Sequence, residues 1–171
     1  MYMNKTSQSI KKIMDIIECL IRWTCMIMLV AMAFLGIMQV IFRYVFNHSL
    51  SFSEESIIFL FVWVTFLGSA LCLRHYGHAS FGAIIDRLPR FMKASAGVVI
   101  TLVNITFLSV LVIKGFEFIS ITGDKPSVSM QLPMRYVYLS IPIGSICMII
   151  FSIEQLFGYI GHMTKVGKEE Q

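Results

Sequence analysis

The strongest constraint in this sequence is a set of four runs that contain no charged residue. They cover residues 23–42, 56–73, 94–113 and 136–153, and each holds 18 to 20 residues. A helix of about 20 residues, at about 1.5 Å per residue, crosses a hydrocarbon core of about 30 Å. The sequence therefore predicts an all-α integral membrane protein with four transmembrane helices.

The composition agrees with a membrane protein. Of the 171 residues 57% are hydrophobic and 14% charged, whereas an average soluble domain is about a quarter charged. The apolar runs are continuous and do not alternate with period two, which excludes a transmembrane β-barrel. We predict a single domain, residues 1–171, that contains an amphipathic arm helix at 9–22, spans at 23–46, 53–73, 94–122 and 136–160, and an interfacial helix at 79–89.

The distribution of lysine and arginine predicts the orientation. The N-terminal segment, the second loop and the C-terminus together hold 10 of these residues, and the first and third loops hold four. Because basic residues are concentrated on the cytoplasmic side, both termini should be cytoplasmic. The net charge of +4 reflects this asymmetry. Anionic lipid headgroups are the expected counterpart, since no basic patch is interleaved with the stacking aromatics that bind nucleic acid.

Two segments outside the spans have the pattern of amphipathic helices. In 9–22 apolar residues recur every three or four positions and charged residues take the other face, with Ser9 as the predicted N-cap. Such a helix lies in the membrane interface or packs against a partner subunit, and a simple extension of the first span fits the pattern equally well. The second segment, 79–89, ends at Pro89 and predicts a short re-entrant or surface helix.

Charged residues flank the turn between the first two spans. Arg43 follows the first run, and Glu54 and Glu55 precede the second. A charge at the bilayer centre costs about 2.5 to 3.5 kcal/mol on insertion scales, so these three residues should lie at one membrane face. Ser51 and Glu54 match the pattern of a capping box. Since capping gives no role to Arg43 or Glu55, we hypothesise a charge-assisted clamp between Arg43 and one of the two glutamates.

Small and polar residues within the spans predict surfaces that face protein. Gly36 permits close approach of another helix and Gln39 is unfavourable in lipid, so this stripe should face either the chain's own bundle or another subunit. Gly68 belongs to a small-residue face of the second helix, where Trp63 is expected to pack in the core. Asn104, near the middle of the third helix, should form an interhelical hydrogen bond worth about 0.6 kcal/mol.

The charge-free runs contain no His, Lys, Asp or Glu, which argues against a catalytic site at membrane depth. The four histidines lie outside these runs and do not suit paired haem ligation. His75 and His78 lie three residues apart, and two imidazoles alone do not complete a zinc site. We therefore predict no enzyme activity, no cofactor and no metal. A self-contained four-helix exporter is the alternative function, although proton-coupled export needs a carboxylate within the membrane.

Several motifs resemble those of a known family. The chain contains QVIFRYVF at 39–46, a pair of glutamates before an apolar helix, WVTFLGSALCLRHYGH at 63–78 followed by Asp86 and Pro89, and LPMRYVYLSIPIG at 132–144. Together these look like the small membrane subunit of tripartite ATP-independent periplasmic (TRAP) transporters, the DctQ type. The resemblance covers residues 39–144 in the family's order. It departs at Phe52, where the family often has tryptophan as an interfacial anchor.

The resemblance implies a transport system of three parts in the bacterial inner membrane. A soluble periplasmic binding protein delivers an organic acid, and a large elevator-type subunit carries it with sodium. The small subunit enlarges the static scaffold, and substrate contacts belong to the other chains, so the substrate is not encoded here. The residues that match the family pattern are expected to be structural or subunit-contact residues: Arg43, Glu54, Glu55, Trp63, Gly68, Arg74 and His78. The outer-loop charges either touch the binding protein or are ordinary solvated charges, among them Asp124, Lys125 and Arg135.

Overall fold

The computed structural model describes residues 5–48, 50–76 and 90–169, with side chains for 11–48, 50–75 and 95–159. Its helices are α1 (Lys5–Val45), α2 (Ser51–Tyr76), α3 (Arg90–Thr122), the short α4 (Arg135–Tyr138) and α5 (Ser140–Glu169). Four segments are long and apolar enough to cross a membrane, namely Lys11–Val45, Ser51–His75, Ser95–Thr122 and Arg135–Tyr159. The predicted all-α architecture with four spans is confirmed.

The spans pack in the order α1, α2, α5, α3. The central helix α5 contacts both α2 and α3, whereas α1 packs mainly on α2. The buried core lies where three helices meet, and its members are Ile21 and Cys25 of α1, Leu67 and Ala70 of α2, and Phe151 of α5. Because α1 lies at the edge of this arrangement, many of its large apolar side chains remain exposed.

The bundle has two ends. The terminal end carries the first turns of α1 and the last turns of α2 and α5, and the loop end carries the connections 46–50 and 123–139. Hydrogen bonds fix the antiparallel register of the first hairpin at the loop end, where the buried Ser53 hydroxyl donates to the Leu35 carbonyl at 3.1 Å. The predicted interfacial helix at 79–89 lies outside the described residues.

Helix α1 is continuous through the segments that the sequence divided into an arm and a span. It contains 41 residues, which corresponds to a length of about 60 Å, twice the thickness of a hydrocarbon core. It begins at Lys5, so Ser9 lies inside the helix and is not its N-cap. Met14 and Ile17 pack against the core. Part of the amphipathic face is therefore used inside the bundle, and the arm is an extension of the first span.

The fourth span begins with a separate turn of helix because of a proline. Pro142 has no N–H group with which to bond the Tyr138 carbonyl, and the chain forms a turn at Leu139 between α4 and α5. The helix then resumes, with the Ile143 N–H donating to the Leu139 carbonyl at 3.2 Å. Pro142 packs against α3 at Gly115, where an added Cβ would lie 3.3 Å from the proline Cδ.

Candidate functional site: polar contacts at both ends of the bundle

Arg74, near the end of α2, is the centre of a set of ion pairs at the terminal end. Its guanidinium lies 2.5 Å from the carboxylates of both Asp15 and Glu18, and 3.3 Å from that of Glu154. Glu18 pairs in addition with Arg22 and with His75. The terminal-end ion cluster consists of Asp15, Glu18, Arg22, Arg74, His75 and Glu154.

The centre of this cluster is largely removed from solvent. The side chains of Arg74 and Glu18 are 13% and 12% exposed. Arg74 Nη1 also donates to the Met14 carbonyl at 2.8 Å, and the guanidinium carbon lies 5.3 Å from the ring centre of the buried Phe151. A planar guanidinium can bond several acceptors and stack on an aromatic ring at the same time, which an ammonium group cannot. Arg74 thus joins α1, α2 and α5.

At the loop end, Glu55 of α2 binds the connection between α3 and α4. Its Oε1 accepts a hydrogen bond from the Val128 N–H at 3.1 Å, and its Oε2 accepts from the N–H groups of Ser129 at 3.0 Å and Met130 at 2.8 Å. Hydrogen bonds to an ionised carboxylate are stronger than those between neutral groups. We call Glu55 together with residues 128–130 the loop-end clasp.

The bound segment is part of a short, internally bonded loop, residues 123–134. Pro126 and Pro133 face each other in an antiparallel bridge. The Ser127 N–H donates to the Leu132 carbonyl at 2.8 Å, and the Leu132 N–H donates to the buried Ser127 hydroxyl at 3.3 Å. The tip of the loop is therefore held both by its own backbone and by the carboxylate of Glu55.

The hypothesised clamp between Arg43 and a glutamate is not formed. Glu54 Oε1 accepts from Gln39 Nε2 at 2.6 Å, and Glu55 is occupied by the loop. Arg43 is exposed and forms no ion pair with either glutamate in the described part of the chain. The predicted capping box is absent too, because α2 already begins at Ser51 and places this residue within the first turn, where it forms no capping bond to Glu54.

The two glycines that were expected to permit helix contacts face open space. A Cβ added at Gly36 or at Gly68 would meet nothing within 4 Å. The close approach between spans occurs instead at Gly144 of α5, where an added Cβ would lie 2.6 Å from the Cβ of Phe66 in α2. Among the described residues, no neighbouring group therefore packs directly against the Cα of Gly36 or of Gly68.

Trp63 and Asn104 each connect two helices. Trp63 Nε1 donates to the Tyr136 carbonyl at 3.1 Å, which links α2 to α4. Asn104 Nδ2 lies 3.4 Å from Ser152 Oγ in a long hydrogen bond between α3 and α5. His78, the remaining candidate, lies outside the described residues.

Sequence reasoning missed the acidic half of the terminal-end ion cluster. It assigned Asp15 and Glu18 to the polar face of an amphipathic helix, whereas Glu18 faces Arg74. For the pair of Arg74 and Glu154 a signal was available, because each of them directly follows an apolar run and so lies at the same membrane depth. The loop-end clasp had no such signal, since its donors are backbone N–H groups.

The polar groups at both ends serve mainly to bind one another. In the described ranges, no group of three or more His, Cys, Asp or Glu residues could hold a metal ion, and all four cysteines are free. The arrangement is suited to fixing helices and a loop in place.

Comparison with known protein families decides the assignment. The family described as "Tripartite ATP-independent periplasmic transporters, DctQ component" matches residues 32–160, which is most of the chain. The chain belongs to the DctQ family. The family is named for a component of transporters, which is not an enzyme class, and the four helices long and apolar enough to cross a membrane indicate that this chain is a multi-pass membrane protein. The DctQ match contains Arg74, Glu154 and the loop-end clasp, and it begins beyond Asp15 and Glu18.

Individual DctQ relatives share a moderate part of the sequence. The chain is 30% identical over 118 residues to the C4-dicarboxylate TRAP transporter small permease protein of Rhodobacter capsulatus, covering 65% of this chain and 50% of the relative. It is 27% identical over 128 residues to the ectoine TRAP transporter small permease protein of Halomonas elongata, covering 74% and 65%. It is 22% identical over 140 residues to the isethionate TRAP transporter permease protein DctMQ of Oleidesulfovibrio alaskensis, covering 77% and 22%. The chain thus spans less than two thirds of the length of each relative.

Proposed function

We propose that this chain is the small, static membrane subunit of a TRAP transporter and that it supports a larger, elevator-type subunit. The observation that carries the proposal is that the charged groups at both ends of the bundle bond other groups of this same chain. Arg74, Glu18 and Glu55, the most highly bonded charged residues described, connect parts of this chain to each other. A subunit whose charges fix its own shape is suited to be a scaffold, whereas a carrier needs polar groups that are free to bind cargo.

The proposed main partner is the large membrane subunit. In the isethionate relative the matched segment is 22% of the protein, so a segment similar to this chain is covalently joined there to a much longer permease. The open surfaces at Gly36 and Gly68 are consistent with a further helix contact, because small residues let helix backbones approach closely. Crosslinking of the copurified complex identifies the surface of this chain that faces the large subunit.

In this proposal the terminal end is cytoplasmic and the loop end periplasmic, as the distribution of basic residues predicts. The complex lies in the bacterial inner membrane, and a periplasmic binding protein delivers an organic acid that the large subunit takes up with sodium. The substrate class is a carboxylate, which is supported by the relative named for C4-dicarboxylates. The relatives named for ectoine and isethionate indicate that the transported solute varies between systems.

Copurification tests the proposed assembly. This chain is tagged at its C-terminus, expressed in its native cells and extracted in mild detergent, and the mass of the purified particle is measured by native mass spectrometry. We expect a stoichiometric complex with one larger membrane protein. An unrelated four-helix membrane protein with the same tag controls for non-specific capture. Recovery of this chain alone, monodisperse and folded, would contradict the proposal.

A further inference from the structure

The contacts between helices place the four charge-free runs at different heights in the bundle. Height is the distance along the bundle axis from Arg74 toward the loop end. The Met14 carbonyl of α1 is bonded to Arg74, and Leu35 and Ser53, at equal separations from these two residues, are bonded as well. The run of α1 therefore extends from about 14 to about 42 Å, and that of α2 from about 2 to about 27 Å.

The heights of the runs in α5 and α3 follow from two further contacts. Glu154 of α5 pairs with Arg74, so the run of α5 has the same height as that of α2. Asn104 of α3 bonds Ser152, which precedes Glu154 by two residues. Since α3 is antiparallel to α5, its run extends from about 12 Å below Arg74 to about 16 Å above it.

The order of these heights is the order in which the helices pack. The run of α1 is the highest, those of α2 and α5 are intermediate, and that of α3, at the other edge, is the lowest. Each run is about as long as a hydrocarbon core is thick, so one bilayer can enclose all four only if it crosses the bundle obliquely. The centres of the α1 and α3 runs differ by about 25 Å over three interaxial distances of about 8 to 10 Å, which corresponds to an inclination of about 40°.

An exposed ion pair on α3 agrees with this inclination. The side chains of Lys114 and Glu117 are 68% and 53% exposed. The neighbouring Gly115 packs against Pro142 of α5, so the pair lies only about 20 Å above Arg74. In an upright bundle this height is inside a hydrocarbon core of about 30 Å, where charges are costly. In an inclined bundle it is the headgroup layer on the loop side.

Arg22, on the opposite edge, is the mirror case. Its side chain is 55% exposed, and it lies about 12 Å above Arg74 because it follows Met14 by about two turns of helix. An upright bilayer with one face at Arg74 would enclose Arg22, whereas an inclined bilayer has its terminal-side face on α1 at this height. The exposed charges of α1 and α3 thus mark opposite faces of one inclined bilayer.

We infer that the helices of this bundle are inclined by about 40° to the membrane normal, so that the belt of lipid rises from α3 at one edge to α1 at the other. This angle is at the upper end of the range for transmembrane helices, about 0 to 40°. Runs inclined so far are shorter than the hydrocarbon core is thick, and flanking side chains such as Arg22 and Lys114 reach outward to the headgroups. The inference concerns the placement of this chain in lipid and does not depend on the proposed function.

Two positions of equal height and different expected depth test the inclination. Ile16 and Val103 both lie close to the height of Arg74, and they are 59% and 65% exposed. An inclined bilayer has Val103 at its centre and leaves Ile16 outside. Val103→Asp should therefore lower the recovery of folded chain from membranes at least about tenfold. Ile16→Asp adds the same charge at the same height and should stay within about twofold of the wild type.

A second pair reverses the roles of the two helices. Val30 of α1 and Phe116 of α3 both lie about 20 to 25 Å above Arg74, and they are 66% and 49% exposed. Here Val30→Asp should cause the large loss and Phe116→Asp the small one, so a general difference in tolerance between α1 and α3 cannot produce both results. Equal losses within either pair would overturn the inference.

Cryo-electron microscopy measures the inclination without a substitution. The wild-type chain, with any subunit that copurifies, is imaged in lipid nanodiscs, and the angle between the axes of α2 and α5 and the disc normal is read from the map. We expect about 40°. An angle of about 20° or less, the average for transmembrane helices, would overturn the inference. That result would leave the proposed function intact, because copurification with a larger membrane protein tests it separately.

Discussion

Arg74 is the residue whose contacts contribute most to the arrangement of the helices. It is nearly buried, and its guanidinium bonds groups on α1 and α5 while it lies over the ring of Phe151. Removing one member of a buried ion pair leaves the others desolvated without compensation, which destabilises more than the pair itself stabilises. The neighbouring Asp15 remains largely exposed and can be hydrated again.

We predict that Arg74→Ala lowers the free energy of unfolding by about 3 kcal/mol, the lower end of the range for a broken buried pair. Arg74→Lys should recover only part of this loss, because an ammonium group has three N–H donors whereas the Arg74 guanidinium contacts three carboxylates and one carbonyl. Unfolding in detergent, followed by circular dichroism, measures both variants. Arg43→Ala is the control, since Arg43 is exposed and unpaired in the described residues, and a change within about 0.5 kcal/mol is expected there. Equal effects at the two positions would contradict the role of the cluster.

Glu55 should determine how firmly the loop is held. In Glu55→Gln the side chain loses its charge and one of its two acceptor oxygens, so the three N–H groups of residues 128–130 can no longer all be bonded strongly. We expect these amides to exchange hydrogen about tenfold faster than in the wild type. Hydrogen–deuterium exchange of a peptide that covers 127–132 measures the effect. Wild-type protection in the variant would show that the loop is held by its own hydrogen bonds.

At the scale of helices, the contact between α2 and α5 depends on the absence of a side chain at Gly144. An added Cβ would lie 2.6 Å from the Phe66 Cβ and 3.2 Å from its carbonyl carbon. The second of these atoms belongs to the backbone and cannot move aside alone, so any larger residue must separate the two helices.

Gly144→Val should therefore destabilise the bundle by about 1 to 3 kcal/mol, as other overpacked interiors do. Gly158→Val tests the same change in the same helix at a position where an added Cβ meets nothing within 4 Å. Thermal unfolding of both variants in the same detergent gives the comparison. A loss of stability at Gly158 as large as that at Gly144 would mean that the cause is helix propensity and not the contact.

The long apolar runs predicted that the helices exist, but not where each helix begins and ends. Four spans follow from the cost of exposing backbone groups to lipid, which allows few alternatives to a helix. The extent of α1 did not follow, because the amphipathic pattern of 9–22 fits a separate helix as well as an extension. The structure resolves this through Met14 and Ile17, which pack on the core. The break between α4 and α5 was foreseeable from Pro142 alone, since a missing N–H acts locally.

The candidate contacts were predictable only in part. Arg43, Glu54 and Glu55 were expected at one end of the first hairpin, and the pairing among them followed from attraction of opposite charges alone. That reasoning could not include backbone donors. The N–H groups of residues 128–130 bind the carboxylate of Glu55, and the side-chain amide of Gln39 binds the carboxylate of Glu54. Partners more than 70 residues apart in the chain depend on the tertiary fold, which local patterns do not contain.

At the scale of the whole molecule, the chain is a row of helices with α1 at one edge and few of its apolar residues buried within the bundle. Such a shape has a large lateral surface for its size, and this surface must face lipid or another membrane protein. A scaffold subunit packs one part of this surface against its partner and exposes the other part to lipid. It thereby widens the area that the partner occupies in the bilayer. An independent carrier instead needs an enclosed pathway between its own helices.

Solute uptake by reconstituted vesicles distinguishes a supporting subunit from a carrier. One set of vesicles contains this chain alone, and another contains it with the copurified large subunit, the binding protein and an inward sodium gradient, each tested with a panel of radiolabelled carboxylates. We predict accumulation only in the complete set, and its loss when the sodium gradient is abolished. Accumulation of solute by vesicles that contain this chain alone would contradict the proposal that it supports transport without carrying the cargo.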